Sequence, residues 1–237
     1  MKNYKLKLLL TCGLLSFLAS CANDPETHQL IPVEKSIVLY ADQRYDSLLF
    51  YTFDSWTVTP QVDWITVEGD SHLDIKYDYT KRYLCRVILL VKLNTTGKTR
   101  QGTVLVQSYE DYEYLAPVVQ LGILNISHPA YTVDTFLGNS SIIPETAHFA
   151  LTDSAHWTSD SICFSVQDNW DLKFVGEKPE WLDIDKTTDL PGSYNVNLTL
   201  TENTDTEHGR DAMLLLTSGE VANRIAVHQL PAKKVGE

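Results

Sequence analysis

The chain has 237 residues, 43% of them hydrophobic, and its 19 basic against 31 acidic side chains give a formal net charge of −12. This length suits two domains of about 100 residues each behind a leader. Because affinity for nucleic acid comes largely from Lys and Arg contacts with phosphates, the acidic balance argues against a nucleic-acid partner.

The N-terminus has the pattern of a secretory signal peptide. A basic start with three lysines precedes an apolar run from Leu8 to Leu18, about half the length that a bilayer requires. The run ends in "LASC", which resembles the lipobox of bacterial lipoproteins, in which the cysteine becomes the acylated first residue. We therefore predict a signal peptide over 1–20, lipidation of Cys21 and a tether over 21–35.

The predicted location follows from this anchor. Cleavage would leave 16 basic against 31 acidic side chains, a net charge of −15, so lipid rather than charge would hold the protein on a membrane. Asp24 and Glu26 resemble the acidic signal by which some Bacteroidetes lipoproteins reach the outer face of the outer membrane. We expect a bacterial outer-membrane protein that faces the cell exterior; the alternative is a polar tether with no sorting role.

Two passages of the chain repeat one pattern. Each has a Trp, a second Trp, a long strand-like stretch, an Arg after a polar turn, and an apolar run that ends in Gln. The landmarks are Trp56, Trp64, Arg100 and Gln120 in the first copy, and Trp170, Trp181, Arg210 and Gln229 in the second. The repeat predicts two domains of one architecture.

Alternation of apolar and polar residues predicts β-strands within each copy. It is clearest in "SYNVNLTLTEN", where Tyr194, Val196 and Leu198 share a face opposite Asn195 and Asn197. Short strands separated by polar turns at roughly 8 to 12 residue intervals indicate an all-β sandwich, and the module size suits two tandem immunoglobulin-like antiparallel β-sandwiches. We predict the first sandwich over 36–122, a linker or extra edge strand over 123–147, and the second over 148–237.

The repeated segments resemble the BACON module, a Bacteroidetes-associated domain named for a proposed carbohydrate-binding role. The carrying segments are "SWTV", "DWITV", "NTTGKTRQGTVLV" and "VVQLG" in the first copy, and "NWDL", "EWLDI", "NTDTEHGRDAMLLL" and "VHQLP" in the second. The resemblance implies an immunoglobulin-like fold and a place in surface lipoproteins or glycan-degrading enzymes. The first copy is longer, because Trp64 to Arg100 spans 36 residues and Trp181 to Arg210 spans 29.

The four paired tryptophans differ in predicted role. Trp56 and Trp170 share a face with inward residues, so we predict both in the cores. Strict alternation turns Trp64 and Trp181 away from the core. They either close the end of a sandwich at a bulge or strand end, which we favour, or form an exposed platform for a sugar ring.

Catalytic and metal motifs are missing from the sequence. The seven histidines include no pair at i, i+3 or i, i+4, and no H-E-x-x-H, G-x-S-x-G or Walker A motif occurs. Asp183 and Asp185 share a strand face, but "DIDKTT" lacks the glycine turn of a calcium loop, so we interpret it as a solvated edge. Cys85 and Cys163 lie in different modules and no Cys-x-x-Cys pair exists, so we expect two buried thiols. We predict no enzyme activity, no metal and no cofactor.

Aromatic clusters are the remaining candidates for a binding site. Sugars present apolar C–H faces and hydroxyls, which exposed aromatic rings and polar side chains can contact without net positive charge. The candidate carbohydrate-binding residues are Tyr77, Tyr79 and Tyr83 in "KYDYTKRY", Tyr109 and Tyr112 in "SYEDYEYL", and Trp157 in "SAHWTSD". The alternative is that these rings pack at strand ends with only their polar tips in water.

The sequence therefore predicts a lipid-anchored cell-surface accessory protein that binds a polysaccharide or mucin-type glycan without catalysis. Its expected partners are a glycan, the membrane through the N-terminal lipid, and proteins of a surface glycan-uptake system. The rival hypothesis is a structural spacer or protein-interaction module that binds no sugar.

Overall fold

The computed structural model describes residues 30–52, 55–69, 83–108, 112–127, 146–152 and 158–233. Cys21, Tyr77, Tyr79, Tyr109 and Trp157 lie outside these ranges. The described residues form strands and turns, and contain no helix long and apolar enough to cross a membrane.

The strands of the first copy are β1 (Ile31–Pro32), β2 (Ile37–Leu39), β3 (Tyr45–Thr52), β4 (Trp56–Pro60), β5 (Ile65–Glu68), β6 (Tyr83–Val91), β7 (Arg100–Ser108) and β8 (Glu113–Gln120). They form two sheets. Sheet I has the order β1-β3-β6-β5, and sheet II has the order β2-β8-β7-β4. All pairings are antiparallel except β2 with β8, which run parallel.

The later strands are β9 (Asn125–Ser127), β10 (Thr146–Thr152), β11 (Ser159–Val166), β12 (Trp170–Phe174), β13 (Leu182–Ile184), β14 (Thr188–Asp189), β15 (Gly192–Leu200), β16 (Arg210–Ser218) and β17 (Val221–Gln229). Sheet III has the order β13-β15-β11-β9, and sheet IV has the order β10-β17-β16-β12-β14. Only β10 and β17 pair in parallel. The strand β9 is thus an edge strand of the second sandwich, paired with β11.

The two sandwiches repeat one topology, as the internal repeat predicted. β1 and β9 are edge strands antiparallel to β3 and β11, and β2 and β10 run parallel to the last strand of their module. The fold is therefore all-β, with two immunoglobulin-like sandwiches. The β-strand alternation predicted for "SYNVNLTLTEN" is confirmed, because Val196, Leu198 and Leu200 are buried while Asn195, Asn197 and Thr199 are exposed.

Each sandwich has its own hydrophobic core. Trp170 is buried in the second core, where its ring meets that of Phe164 edge-on at 4.8 Å between centroids. Trp56 is partly buried against the first core and meets Phe50 edge-on at 5.2 Å. The prediction of two core tryptophans therefore holds in full for Trp170 and in part for Trp56.

The two cysteines differ in burial. Cys85 faces the first core and is buried, whereas Cys163 lies on the outer face of β11 and is only partly buried. Neither forms a disulfide. The expectation of unbridged thiols is confirmed, but the expected burial of Cys163 was wrong, since its position in the alternation turns it outward.

Polar contacts join the two sandwiches. The carboxylate of Asp42, which is 2% exposed, accepts hydrogen bonds from the Gln167 backbone N–H at 2.8 Å and from the Ser218 hydroxyl at 3.1 Å. At the rim of this contact Arg44 forms an ion pair with Asp168 at 2.6 Å.

Apolar contacts cross the same junction. Ala41, which precedes the first sandwich's strand β3, is fully buried in the core cluster of the second sandwich, and Leu93 packs against that cluster. The Leu124 N–H donates to Asn223 Oδ1 at 2.6 Å, which ties the connecting chain to the first residues of β17. The modules therefore share a packed boundary.

Candidate binding surfaces

The second tryptophan of each copy stacks under an arginine. The Arg100 guanidinium lies 4.5 Å from the Trp64 ring centroid, and the Arg210 guanidinium lies 4.8 Å from that of Trp181. Trp64 is 8% exposed and Trp181 is partly buried against its core. Both indoles immediately precede an outer strand, β5 or β13, so the interpretation as strand-end packing is favoured over an exposed platform.

A glutamine completes each tryptophan–arginine pair. Arg100 donates from Nε and Nη2 to Gln120 Oε1 at 2.9 and 2.6 Å, and Arg210 donates from Nε to Gln229 Oε1 at 2.6 Å. Each Nη2 also donates to a backbone carbonyl at the equivalent position of its module, Lys92 or Thr201. The landmarks of the repeat thus form one structural cluster built twice, and burial of the guanidinium lowers the pKa of both arginines.

Two of the candidate tyrosines lie in the described residues, at one end of the first sandwich. Tyr83 begins β6, pairs with Thr52 across sheet I and is 36% exposed. Tyr112 precedes β8, is half-buried, and its carbonyl accepts from the Ser108 N–H at 2.9 Å. Edge-on contact between Phe50 and Trp56 brings the Thr52 end of sheet I next to the Trp56 and Ser108 end of sheet II. We call this end, marked by Thr52, Trp56, Tyr83, Ser108 and Tyr112, the tyrosine end.

The segments that carry the other tyrosine candidates are anchored at the same end. Residues 70–82, with Tyr77 and Tyr79, connect the end of β5 to Tyr83, and residues 109–111, with Tyr109, connect Ser108 to Tyr112. The chain also enters the first sandwich here, because Ile31 pairs with Tyr51 near the end of β3. The strand topology therefore places at the tyrosine end Tyr83, Tyr112 and the described residues that flank the segments carrying the other three candidate tyrosines.

Trp157 belongs elsewhere. Residues 153–157 connect β10, whose Thr152 pairs with Gln229, to Thr158, whose carbonyl accepts from the Leu200 N–H. The first sandwich contacts the opposite end of the second module, at Gln167 and Ser218. The anchors of the Trp157 segment therefore lie far from the tyrosine end.

Tyr114, in the same sequence cluster as Tyr112, has a structural role. Its ring packs against the first core, and its hydroxyl donates to the Glu34 carbonyl at 3.3 Å. Partial burial raises the pKa of the Tyr114 phenol. This is the ring-packed arrangement that the alternative interpretation described.

A groove in the second module was not singled out from the sequence. It is about 350 Å³ in volume, lies between β12 and β13, and is lined by Phe174, Ile184 and several charged side chains. Lys178 forms an ion pair with Asp183 at 2.5 Å, and that contact lowers the pKa of the Asp183 carboxyl. The residues come from two sheets, and no sequence spacing links them.

The carboxylates of Asp183 and Asp185, considered above as a calcium site, are held by other side chains and by the backbone. Asp183 is tied to Lys178, and Asp185 accepts from both the backbone and side-chain N–H groups of Asn197, at 2.9 and 2.6 Å. Within the described ranges, no group of three or more His, Cys, Asp or Glu side chains could hold a metal ion. This arrangement suits a solvated strand edge, the interpretation favoured from the sequence.

Several solved structures are similar to this chain at low identity. They include the Bacteroides ovatus GH5 xyloglucanase in complex with a XXXG heptasaccharide (18% identity, 44% of this chain and 20% of that chain, TM-score 0.32). An endo-fucoidan hydrolase of glycoside hydrolase family 107 (14% identity, 90% of this chain and 30% of that chain, TM-score 0.30) is similar too. So are domains 5-6 of the S-layer protein SbsC (10% identity, 86% of this chain and 97% of that chain, TM-score 0.30). The chain spans 20% and 30% of the two enzymes.

A family model matches the second sandwich. Residues 164–230 match BACON, described as "Putative binding domain, N-terminal", whereas no curated protein matches the sequence. The matched residues include Trp181, Arg210 and Gln229, the three members of the second tryptophan–arginine–glutamine cluster. Residues 164–230, the greater part of the second sandwich, therefore form a BACON-type module.

Proposed function

We propose that this chain is a lipid-anchored accessory protein of the bacterial outer-membrane surface that binds a polysaccharide or mucin-type glycan without catalysis. The match of residues 164–230 to a family described as a binding domain supports a binding role in general. Of the proposed contact residues, Tyr83 and Tyr112 lie at the tyrosine end of the first sandwich.

One observation carries this choice of surface. In the second sandwich, the turns between β11 and β12 and between β16 and β17 face the first module, through Gln167 and Ser218. The equivalent connections of the first sandwich are residues 53–54 and 109–111, which emerge at the tyrosine end. The end of the second sandwich that packs against the first sandwich is therefore equivalent to the end of the first sandwich that carries Tyr83 and Tyr112.

The chemistry of this end suits a neutral sugar. A tyrosine ring offers an apolar face to the C–H groups of a pyranose, and its hydroxyl can exchange hydrogen bonds with the sugar hydroxyls. Neither contact requires a basic side chain, so the net charge of −15 expected after cleavage is compatible with a neutral glycan. Trp157 would form a separate, secondary contact.

The predicted anchor would hold this end close to the membrane. Eight residues lie between Cys21 and Leu30, where the described chain begins at the tyrosine end, and the nine residue-to-residue steps of an extended chain reach about 30 Å. A bound glycan would then lie beside a membrane-embedded uptake system. The second module would project outward.

The test is a titration of the Cys21→Ser chain, which takes no lipid, with host and plant polysaccharides, read by tryptophan fluorescence. We expect at least one glycan to bind, and Tyr83→Ala with Tyr112→Ala to weaken that binding by about tenfold or more, since aromatic contacts typically contribute 1 kcal/mol or more. Tyr45→Ala is the matched control. Tyr45 is 63% exposed but lies at the other end of β3, so its replacement should leave the affinity unchanged.

The rival function is a structural spacer, and the packed junction is the observation that favours it. Buried Asp42 and Ala41 hold the modules together in a way that suits a stiff support. No binding across the whole glycan panel would reject the carbohydrate proposal and support the spacer. Binding that is unaffected by Tyr83→Ala with Tyr112→Ala would keep a glycan function but move it from the tyrosine end.

A further inference from the structure

The outer faces of sheets I and III occupy equivalent positions but differ in chemistry. In the two central strands of each sheet, cross-strand pairs match one to one between the modules. The outward pairs of sheet I are Tyr45 with Leu90, Ser47 with Ile88, Leu49 with Arg86, and Tyr51 with Leu84. The equivalent pairs of sheet III are Ser159 with Thr199, Ser161 with Asn197, Cys163 with Asn195, and Ser165 with Ser193.

The outer face of sheet III has the polar side chains expected of a sheet in contact with water, whereas the outer face of sheet I is mostly apolar. Small polar side chains alternate with the buried residues of sheet III, as expected where one face meets water. In sheet I, six of the eight outward side chains in β3 and β6 are aliphatic or aromatic, with Tyr45 63% and Leu90 38% exposed. A contiguous apolar patch of this kind indicates an interaction surface.

From this face we propose that two copies of the chain associate through the outer surface of sheet I. The four strands of sheet I, β1, β3, β6 and β5, contain two, eight, nine and four residues, so at about 3.3 Å per residue and 4.8 Å between strands the face covers roughly 360 Å². Two such faces would bury about 700 Å² in total, which is the size of a weak, transient interface. A reversible dimer with a micromolar dissociation constant is the expected result.

The charge on the face permits a second copy although the whole chain is acidic. The described outward positions of sheet I carry one basic and one acidic side chain, Arg86 and Glu68. Two faces related by a two-fold axis would therefore bring no excess of like charge together. The excess of acidic side chains behind the net charge of −12 lies outside this face, and salt screens the repulsion between two chains at separations beyond about 8 Å.

The same face suits a glycan less well. Its rings, Tyr45 and Tyr51, are separated along β3 by roughly 20 Å, and the positions between them are dominated by aliphatic side chains. Aliphatic groups would bury sugar hydroxyls without giving them hydrogen bonds, which costs free energy. A protein surface with its own apolar side chains is the better complement.

The second module supplies the substitutions for the test. Tyr45→Ser, Ile88→Asn and Leu90→Thr replace three outward residues by their counterparts Ser159, Asn197 and Thr199, which the same fold accepts. Sedimentation equilibrium of the Cys21→Ser chain from about 1 to 100 µM should show a monomer–dimer equilibrium, and the triple variant should raise its dissociation constant at least about tenfold.

The control removes apolar area from another face. Val38→Thr with Leu115→Ser alters sheet II, where these residues are 51% and 55% exposed, and should leave the dissociation constant unchanged. Circular dichroism and thermal unfolding would check folding. Should the triple variant unfold, Tyr45→Ser with Leu90→Thr alone alters only the most exposed pair.

Three outcomes would overturn the proposal. The first is a chain that remains monomeric at 100 µM, whether or not its sheet I face binds a hydrophobic dye. The second is equal dissociation by the sheet I and sheet II variants. The third is a monomer whose glycan affinity falls on replacement of Tyr45, which would assign the face to a sugar.

Discussion

The stacked guanidinium explains why the repeat preserves Trp, Arg and Gln as a set. A planar Arg can cover an indole face while its N–H groups bind the Gln oxygen and a backbone carbonyl. The guanidinium in turn closes the end of the sandwich over Trp64 or Trp181. The Arg covers the indole face, and the Gln accepts hydrogen bonds from the partly buried Arg, so the three residues stabilise one another.

A lysine should not replace these arginines without loss. Arg210→Lys retains the charge but removes the planar stack and the two-direction hydrogen bonding, so we expect the free energy of unfolding to fall by about 1–2 kcal/mol. Urea denaturation would measure the change. Arg224→Lys, on the exposed face of β17, is the matched control and should shift stability by less than about 0.5 kcal/mol. Equal effects of the two substitutions would mean that the stack contributes nothing.

Alternation in the sequence predicted the burial of the first tryptophan of each copy, Trp56 and Trp170, better than that of the second, Trp64 and Trp181. Alternation placed Trp170 and Leu172 inward correctly because both lie inside a regular strand. Trp64 and Trp181 precede their strands, and their burial depends on an arginine 36 or 29 residues later in the sequence. The recurrence of an arginine at a similar position in both copies was visible in the sequence, but only the fold showed that this arginine stacks on the second tryptophan.

At the scale of elements, the junction between sandwiches depends on one buried carboxylate. Desolvation by burial is the main cause that raises the pKa of Asp42 above 3.8, and the nearby Asp168 carboxylate acts in the same direction. Hydrogen bonds from the Gln167 N–H and the Ser218 hydroxyl favour the charged form and offset part of the rise. Arg44 faces the same boundary through its ion pair with Asp168.

This raised pKa predicts a pH dependence with a definite sign. The folded state holds the Asp42 proton more tightly than the unfolded state, so the group's contribution is fully present below pH 3.8 and is lost as the pH rises through the folded pKa. Asp42→Asn abolishes this titration. The stability of the unmodified chain relative to Asp42→Asn should therefore fall as the pH rises from about 4 to 7.

Urea denaturation of both proteins at several pH values would measure that difference, in which titrations common to both cancel. Asp171→Asn is the control, because Asp171 lies on the outer face of β12, where its carboxylate pairs with Lys173 and not with a residue of the first sandwich. A difference that stays constant with pH, or that changes in the opposite direction, would contradict the assignment to Asp42.

At the scale of the whole molecule, the junction should couple the two sandwiches. Ala41 precedes a strand of the first sandwich yet is fully buried in the second core, so unfolding of one module would expose part of the other. We expect a single calorimetric transition for the chain. Ala41→Asp would place a charge in that core and should split the transition into two.

The control for the calorimetry is Ala222→Asp, a change of the same kind at an exposed position of β17. It should leave one transition with little change in midpoint. Two separate transitions in the unmodified chain would show that the modules unfold independently and that the contact at Ala41 is too weak to couple them.

The sequence alone determined most of the strands, the duplicated plan and most of the inward positions, because alternation and turn residues are local signals. The BACON resemblance of the second module also came from the sequence, since its landmark residues recur in a constant order. Only the tertiary structure decided which strands pair, that Ala41 serves the other module's core, and that sheet I presents an apolar outer face where sheet III presents a polar one. The physical reason is that burial and exposure belong to surfaces assembled from distant strands, and residues such as Leu90 have the same local pattern whether their outer face meets water or a partner.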